Sequence, residues 1–256
     1  MTPPARGRPT IAIVGLGLIG GSLARALSAS RYRVLGVDRP TALRRALAAR
    51  AIARGFASVH AAAAEADVVV LAAPPAANLT ILRGLTGAVR AGLVVTDVGS
   101  VKGPICREAA RLRLSGFVGG HPMAGAERSG FAASRGDLFR DRPWVLTPDG
   151  APRGAVARVR ALVRATGARP VVVDAAVHDR TVAFLSHVPQ IVAWALADAA
   201  RGDALARRHL ALAGPGFRDM TRLAASPRAL WREILGQNRS EVGRALRAFR
   251  ARLSGR

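Results

Sequence analysis

The chain has 256 residues, half of them apolar but only 4% aromatic, and a formal charge of +23. That length allows one large domain or two small ones around a core built mainly from Ala, Val and Leu, and the single cysteine, Cys106, excludes an intramolecular disulfide. The charge invites a nucleic-acid reading, but the basic residues are scattered through every segment with no basic tract and no interleaved aromatics, so specific nucleic-acid binding is not expected and a general pull on anionic substrates is.

From Thr10 to about Val173 short apolar runs alternate with helical stretches. The runs are Ile11–Val14, Val34–Val37, Val68–Leu71, Leu93–Thr96, Phe117–Val118, Trp144–Leu146 and Val171–Val173. Continuous β-branched runs without polar alternation predict parallel strands covered on both faces. The intervening stretches, such as Ile19 to Ala29 and Leu43 to Ala53, predict helices. The order predicts an α/β Rossmann-type fold, a doubly wound and mostly parallel sheet, over residues 1–175. Beyond it apolar residues recur at helical spacing, as at Val182, Leu185, Val188 and Val192, so residues 176–256 read as an all-helical C-terminal domain. About eighty residues is small to stand alone and would gain from docking or dimerisation.

Arg6 and Arg8 before the apolar run Ile11 to Leu23 mimic a secretory signal, but Gly15, Gly17, Gly20 and Gly21 break the run. No stretch reaches the roughly 18 uninterrupted apolar residues of a membrane span, so a soluble, cytoplasmic chain with no membrane partner is expected.

Gly15-Leu-Gly-Leu-Ile-Gly20 follows a strand and opens a helix, the setting a dinucleotide turn requires. Gly15 makes the turn, Gly17 lets backbone approach a pyrophosphate, and Gly20 lets the helix pack on the strand. Leu18 and Ile19 begin the helix whose free N–H groups accept the phosphates, and Gly21 and Ser22 extend that end. Asp38 ends the next strand, about 20 residues on, where a carboxylate accepts ribose hydroxyls and repels a 2′-phosphate. NAD is therefore expected over NADP, with Arg39 blunting the preference. Ala73-Pro74-Pro75 reads either as a loop over the nucleotide or as a plain loop. No metal site is evident, because the cysteine and the histidines show no ligand spacing.

Later motifs carry a family resemblance. Asp97-Val-Gly-Ser-Val-Lys102, Gly119-Gly-His-Pro-Met-Ala-Gly-Ala-Glu-Arg-Ser-Gly130, His178-Asp179 with Ser186-His-Val-Pro-Gln190, and Gly214-Pro-Gly-Phe-Arg-Asp-Met-Thr-Arg222 resemble prephenate/arogenate dehydrogenases. The resemblance runs from about Ile11 to about Phe249. It implies a nucleotide-binding domain followed by a helical dimerisation domain, a homodimer, and oxidative decarboxylation of prephenate or arogenate with NAD. It also implies that His121 is the general base, a role suited to an imidazole titrating near neutrality, and that Ser100 hydrogen-bonds the same hydroxyl. Ser100 also reads as an N-cap for a helix over Val101–Ala110. Arg222 matches a carboxylate-binding arginine, expected to be buried, and Glu127 an acidic gate residue. Ser186 and His178, about two helical turns apart, would line one face, with Ser186 touching substrate, His178 supporting it and His187 structural.

Gln190 stands where the family pattern often has histidine; it keeps a donor and an acceptor but loses the possible charge, leaving prephenate and arogenate both open. The chain ends soon after Phe249, so no regulatory or mutase domain is expected. A dehydrogenase for 4-amino-4-deoxyprephenate would use the same residues. A β-hydroxyacid or imine reductase should carry a lysine in its helical domain, and none follows Lys102. A non-catalytic NAD- or nucleic-acid-binding protein is the rival from another class.

Overall fold

The computed structural model describes residues 8–87, 90–125 and 128–255. The chain divides into two compact units, Met1–Ala176 and Val177–Arg256.

The first unit is built on eight strands: β1 Thr10–Val14, β2 Arg33–Val37, β3 Arg54–Phe56, β4 Val68–Leu71, β5 Val94–Asp97, β6 Phe117–Pro122, β7 Pro143–Thr147 and β8 Arg169–Val172. They form one sheet in the order β3-β2-β1-β4-β5-β6-β7-β8. All neighbours pair in parallel except β6 with β7. The helices α1 Leu18–Ser28, α2 Pro40–Ala48, α3 Val59–Glu65, α4 Pro75–Gly84, α5 Gly103–Arg111 and α6 Arg153–Ala165 cover it.

The β-branched runs of β1, β2, β4 and β5 work as anticipated, because their alternate residues feed different cores; the run at Val171–Val173 does not, since β8 lies at the sheet edge with Val171 and Val172 exposed. Ile11, Ile13, Val34, Val68, Val70 and Val94 pack with Leu23 and Leu27 of α1 and Val159 and Leu162 of α6. Ala12, Val14, Leu35, Val69, Leu71 and Val95 pack with Ala62 of α3, Leu82 of α4 and Ile105 of α5. Two apolar faces are what a parallel sheet needs, and they explain the absence of polar alternation. The short β3 has no such signature. It follows a helix that stops at Ala48, five residues earlier than the apolar spacing implies, because Arg50 turns the chain with φ of 52°.

The second unit is entirely helical: α7 Ala175–Val182, a π-turn Ala183–His187, α8 Val188–Gly202, α9 Ala204–Arg208, α10 Pro215–Thr221, α11 Arg228–Gln237 and α12 Arg239–Ser254. Its core is small: Ala183, Val188, Val242 and Ala245 are buried, with Ile191, Leu246 and Phe249 packed partly against them. Large apolar side chains stay exposed, including Leu185 at 74% and Leu212 at 83%. The helical run Ala175–Gly202 is long and apolar enough, by length and composition alone, to cross a membrane.

Candidate active site

Because β2, β1, β4, β5 and β6 are parallel, their carboxyl ends share one edge of the sheet. That edge carries, in order, Asp38 after β2, Gly15 after β1, Ala73 after β4, Ser100 after β5 and His121 near the end of β6. The connection reverses between β1 and β4, the place where open α/β sheets form a ligand crevice. Strands lie about 4.8 Å apart, so three intervals put His121 about 14 Å from the glycine turn.

The glycine turn is built for close approach. Gly15 has φ of 95°, and a Cβ on it would lie 2.7 Å from the backbone of Ala72 and Ala73. A Cβ on Gly20 would lie 1.8 Å from the Gly15 carbonyl oxygen, whereas one on Gly17 would meet nothing within 4 Å. Helix α1 starts at Leu18 and Ile19 with no side-chain cap and no acid in its first turn. Its N–H groups and dipole are thus left for an anion. Asp38 accepts the Leu16 and Arg39 N–H groups, each at 2.6 Å, which ties the β2 end to the glycine turn. Each oxygen keeps capacity for a hydroxyl donor. Arg39 is exposed.

The structure departs from the sequence expectation at three places. Gly21 and Ser22 do not extend the anion-accepting end. Ser22 is fully buried and its Oγ accepts the Arg135 N–H at 3.0 Å, while Phe131 packs where a Gly21 Cβ would stand, 2.8 Å away. Both residues instead dock the segment that follows the histidine motif onto α1. The loop after β4 is short: Ala72, Ala73 and Pro74 form it, and Pro75 already opens α4, as its fixed φ allows. Buried Asn78 locks that turn, accepting the Ala73 N–H at 3.1 Å and donating to Leu71 O. Ser100 is no N-cap, since α5 begins at Gly103 after a Lys102 cap. Val101 and Lys102 are buried in the approach to the helix instead.

His121 is 9% exposed and pairs across to Val145 of β7. Below it lie two fully buried charges, Asp97 and Lys102, which form an ion pair. Lys102 Nζ also donates to Gly120 O at 2.7 Å. Asp97 accepts the N–H of Gly120 at 3.0 Å and that of Gly99 at 2.8 Å. Burial pushes the neighbouring Cys106 thiol up to about 12, so it stays protonated. Its Sγ lies 3.2 Å from Thr147 Oγ1.

In the second unit a polar cluster surrounds the π-turn. His178 and Asp179 pair at 2.8 Å, both buried. Asn238 donates to Asp179 O at 2.8 Å and to His187 Nδ1 at 3.2 Å. Burial holds the His187 imidazole down to about 4, so it is neutral near pH 7. Trp231 meets its ring edge-on, with centroids 6.0 Å apart. Eight residues of α-helix overshoot two turns by about 80°. The wider π-turn takes up part of that excess, which brings half-buried Ser186 back toward the His178 face.

Gln190 Nε2 donates to Leu223 O at 2.7 Å, and Trp194 Nε1 to Ala224 O at 3.3 Å. Together they hold the short 3-10 turn Arg222–Ala225 against α8. Gln190 Oε1 is buried without a hydrogen-bond partner among the described residues. Arg222 is exposed rather than buried, as suits a cation whose hydration is costly to remove. Glu127 lies outside the described residues. Among the described residues no group of three or more His, Cys, Asp or Glu side chains converges as a metal site would.

Residues 23–172 match the model of the prephenate dehydrogenase nucleotide-binding domain, and residues 174–255 that of the prephenate dehydrogenase dimerization domain. The chain belongs to the prephenate dehydrogenase family. It is 34% identical to prephenate dehydrogenase of Lactococcus lactis subsp. cremoris and 35% identical to that of Bacillus subtilis, over 89% and 92% of its length. It spans 64% and 66% of those two proteins. Cyclohexadienyl dehydrogenase of Zymomonas mobilis is 34% identical, with 89% of this chain and 80% of that protein covered. Among solved structures, Aquifex aeolicus prephenate dehydrogenase in complex with hydroxyphenyl propionate and NAD+ superposes with a TM-score of 0.86 at 28% identity, covering 98% of this chain and 90% of the other. Synechocystis arogenate dehydrogenase gives 0.84 at 31%, covering 96% and 90%. The family architecture anticipated from the motifs, a Rossmann-type sheet and then helices, is the one found.

Asp97 and Lys102 stand in a motif whose sequence assigns them no task, and Asn78, Asn238 and Trp194 stand in none of the motifs. Lys102 alone had a visible signal, as the single lysine of the chain.

Proposed function

We propose that the chain oxidises and decarboxylates prephenate to 4-hydroxyphenylpyruvate, using NAD. The observation that carries this is the row along the carboxyl edge: an uncapped helix end with open space above Gly17, the Asp38 carboxylate to one side, and buried His121 about 14 Å away on the other. The turn from Gly15 to Gly20 fits a pyrophosphate, Asp38 fits ribose hydroxyls, and Ala73 and Pro74 border the same edge. When bound, NAD supplies the hydride acceptor. His121 takes the proton of the ring hydroxyl, and Ser100 hydrogen-bonds that hydroxyl and orients the imidazole. Arg222 binds a substrate carboxylate through its exposed guanidinium. Ser186, with His178 behind it, holds the substrate's polar groups, and Glu127 gates the site.

A second reading, arogenate as substrate, is favoured by Gln190. With Nε2 committed to Leu223 O, its buried Oε1 is an acceptor that the side-chain ammonium of arogenate would satisfy and a keto group would not. The protein works in the cytoplasm as a homodimer formed through the second unit, whose small core and exposed Leu185, Leu205 and Leu212 need cover.

The test is the rate of NAD reduction by purified protein with prephenate, arogenate and 4-amino-4-deoxyprephenate, each repeated with NADP. Turnover of one of them with NAD is expected, and the preferred one names the substrate. His121→Asn should lower kcat by about two to four orders of magnitude with NAD affinity kept. No turnover of any of the three by a protein that binds NAD defeats the proposal.

A further inference from the structure

Of 39 lysines and arginines in this chain, all but one are arginine, and the exception, Lys102, is fully buried. We propose that Lys102 and Asp97 are a positioning couple for His121 and Ser100, and that the site requires an ammonium in place of a guanidinium. The roles of His121 and Ser100 are those proposed above.

The geometry assigns the couple a specific task. Lys102 Nζ donates to Gly120 O, the carbonyl of the peptide that leads into His121. Asp97 Oδ1 accepts the Gly120 N–H, so the peptide planes on both sides of Gly120 are tied to the couple. Asp97 Oδ2 accepts the Gly99 N–H, which ties down the Val98–Gly99 peptide, one peptide before Ser100. One ion pair thereby sets the strand that presents the imidazole and the loop that presents the hydroxyl.

The glycines explain why such restraint is needed. A Cβ on Gly120 would lie 2.5 Å from Asp97 O, one on Gly119 2.2 Å from Thr147 Oγ1, and one on Gly99 2.8 Å from Asp97 Oδ2. Only glycine lets the chain pass this close, and glycine backbone is the most freely mobile. The couple removes that freedom beside the proposed base. Lys102 donates to the Asp97 carboxylate and to Gly120 O from a space without solvent access, a task for a compact ammonium; a planar fork of five donors is larger and differently aimed.

The test compares the parent with Lys102→Arg and with the double variant Asp97→Leu/Lys102→Met, which leaves no unpaired buried charge. The double variant should fold with a lowered melting temperature, since the Gly99 N–H and both backbone groups of Gly120 lose their partners. It should bind NAD within about twofold, with KM little changed and kcat down about 100-fold, the cost of a misplacement near 1 Å. Lys102→Arg should lose kcat similarly. A double variant that melts lower yet turns over like the parent would show the couple to be structural only, and full activity in Lys102→Arg would remove the requirement for an ammonium. If the double variant does not fold, Asp97→Asn decides the matter on the same split between kcat and KM. The imidazole titration of His121, assigned by its loss in His121→Asn, should move in the variants while the other histidines hold. Should the parent turn over none of the three substrates, the functional reading falls and this titration alone decides the positioning.

Discussion

Gly20→Ala separates the two tasks of the glycine turn. The added Cβ would stand 1.8 Å from Gly15 O and 3.0 Å from Ala72 Cβ. A relaxed C···O contact is about 3.3 Å, so some part of the turn must yield by about 1.5 Å. Gly15 has no room to yield, since its own position abuts the backbone of Ala72 and Ala73 at 2.7 Å. The start of α1 must therefore withdraw, at an overpacking cost of about 1–3 kcal/mol. The same shift carries N–H groups off the phosphate; one lost bond to a charged group is worth about 1.5–3 kcal/mol, or roughly 10- to 150-fold in NAD affinity. Gly17→Ala is the control, because its Cβ meets nothing and Gly17 has an ordinary φ of −73°. It should lower stability only slightly, by about 1 kcal/mol or less for an alanine at the helix N-cap, yet weaken NAD at least about tenfold by standing where the pyrophosphate approaches. Thermal melts and calorimetric titration with NAD read both effects. A Gly17→Ala protein that binds NAD like the parent would show that the space above Gly17 is not the pyrophosphate site.

Two further outcomes follow from the buried titratable groups. Cys106, with its thiol pushed up to about 12, should resist iodoacetamide in the native protein and react at once in denaturant; ready native alkylation would contradict its burial. His187 titrates near 4 when folded and near its ordinary 6.5 when unfolded, so between those values the unfolded chain binds more protons. The stability from keeping this imidazole neutral is complete above that range and is lost as pH falls through it. Melting temperature should therefore drop from about pH 7 to about pH 4.5, and His187→Asn should flatten that drop; an unchanged profile would reject the assignment.

The centre of the sheet was legible because β1, β2, β4 and β5 are apolar runs buried on both faces, and the glycine turn because it follows a strand and opens a helix. The edges of elements were harder. Arg50 ends α2 through a left-handed residue, and α5 starts late because Val101 and Lys102 are drawn into the interior. Neither effect has a local signal. His121 and Ser100 could be named from their motifs, but not the ion pair behind them, because a pairing between β5 and β6 is a fact of register. Gln190 showed the same limit: the chain names the amide, while its bond to Leu223 depends on how the turn Arg222–Ala225 meets α8.

The most direct test of the central claim uses substrate carrying deuterium on the ring carbon that bears the hydroxyl. Reduced nicotinamide and released carbon dioxide are measured together. The account predicts one deuterium in the nicotinamide for each carbon dioxide released, with both lost in His121→Asn. Carbon dioxide released without label in the nicotinamide, or label appearing in water, would contradict it.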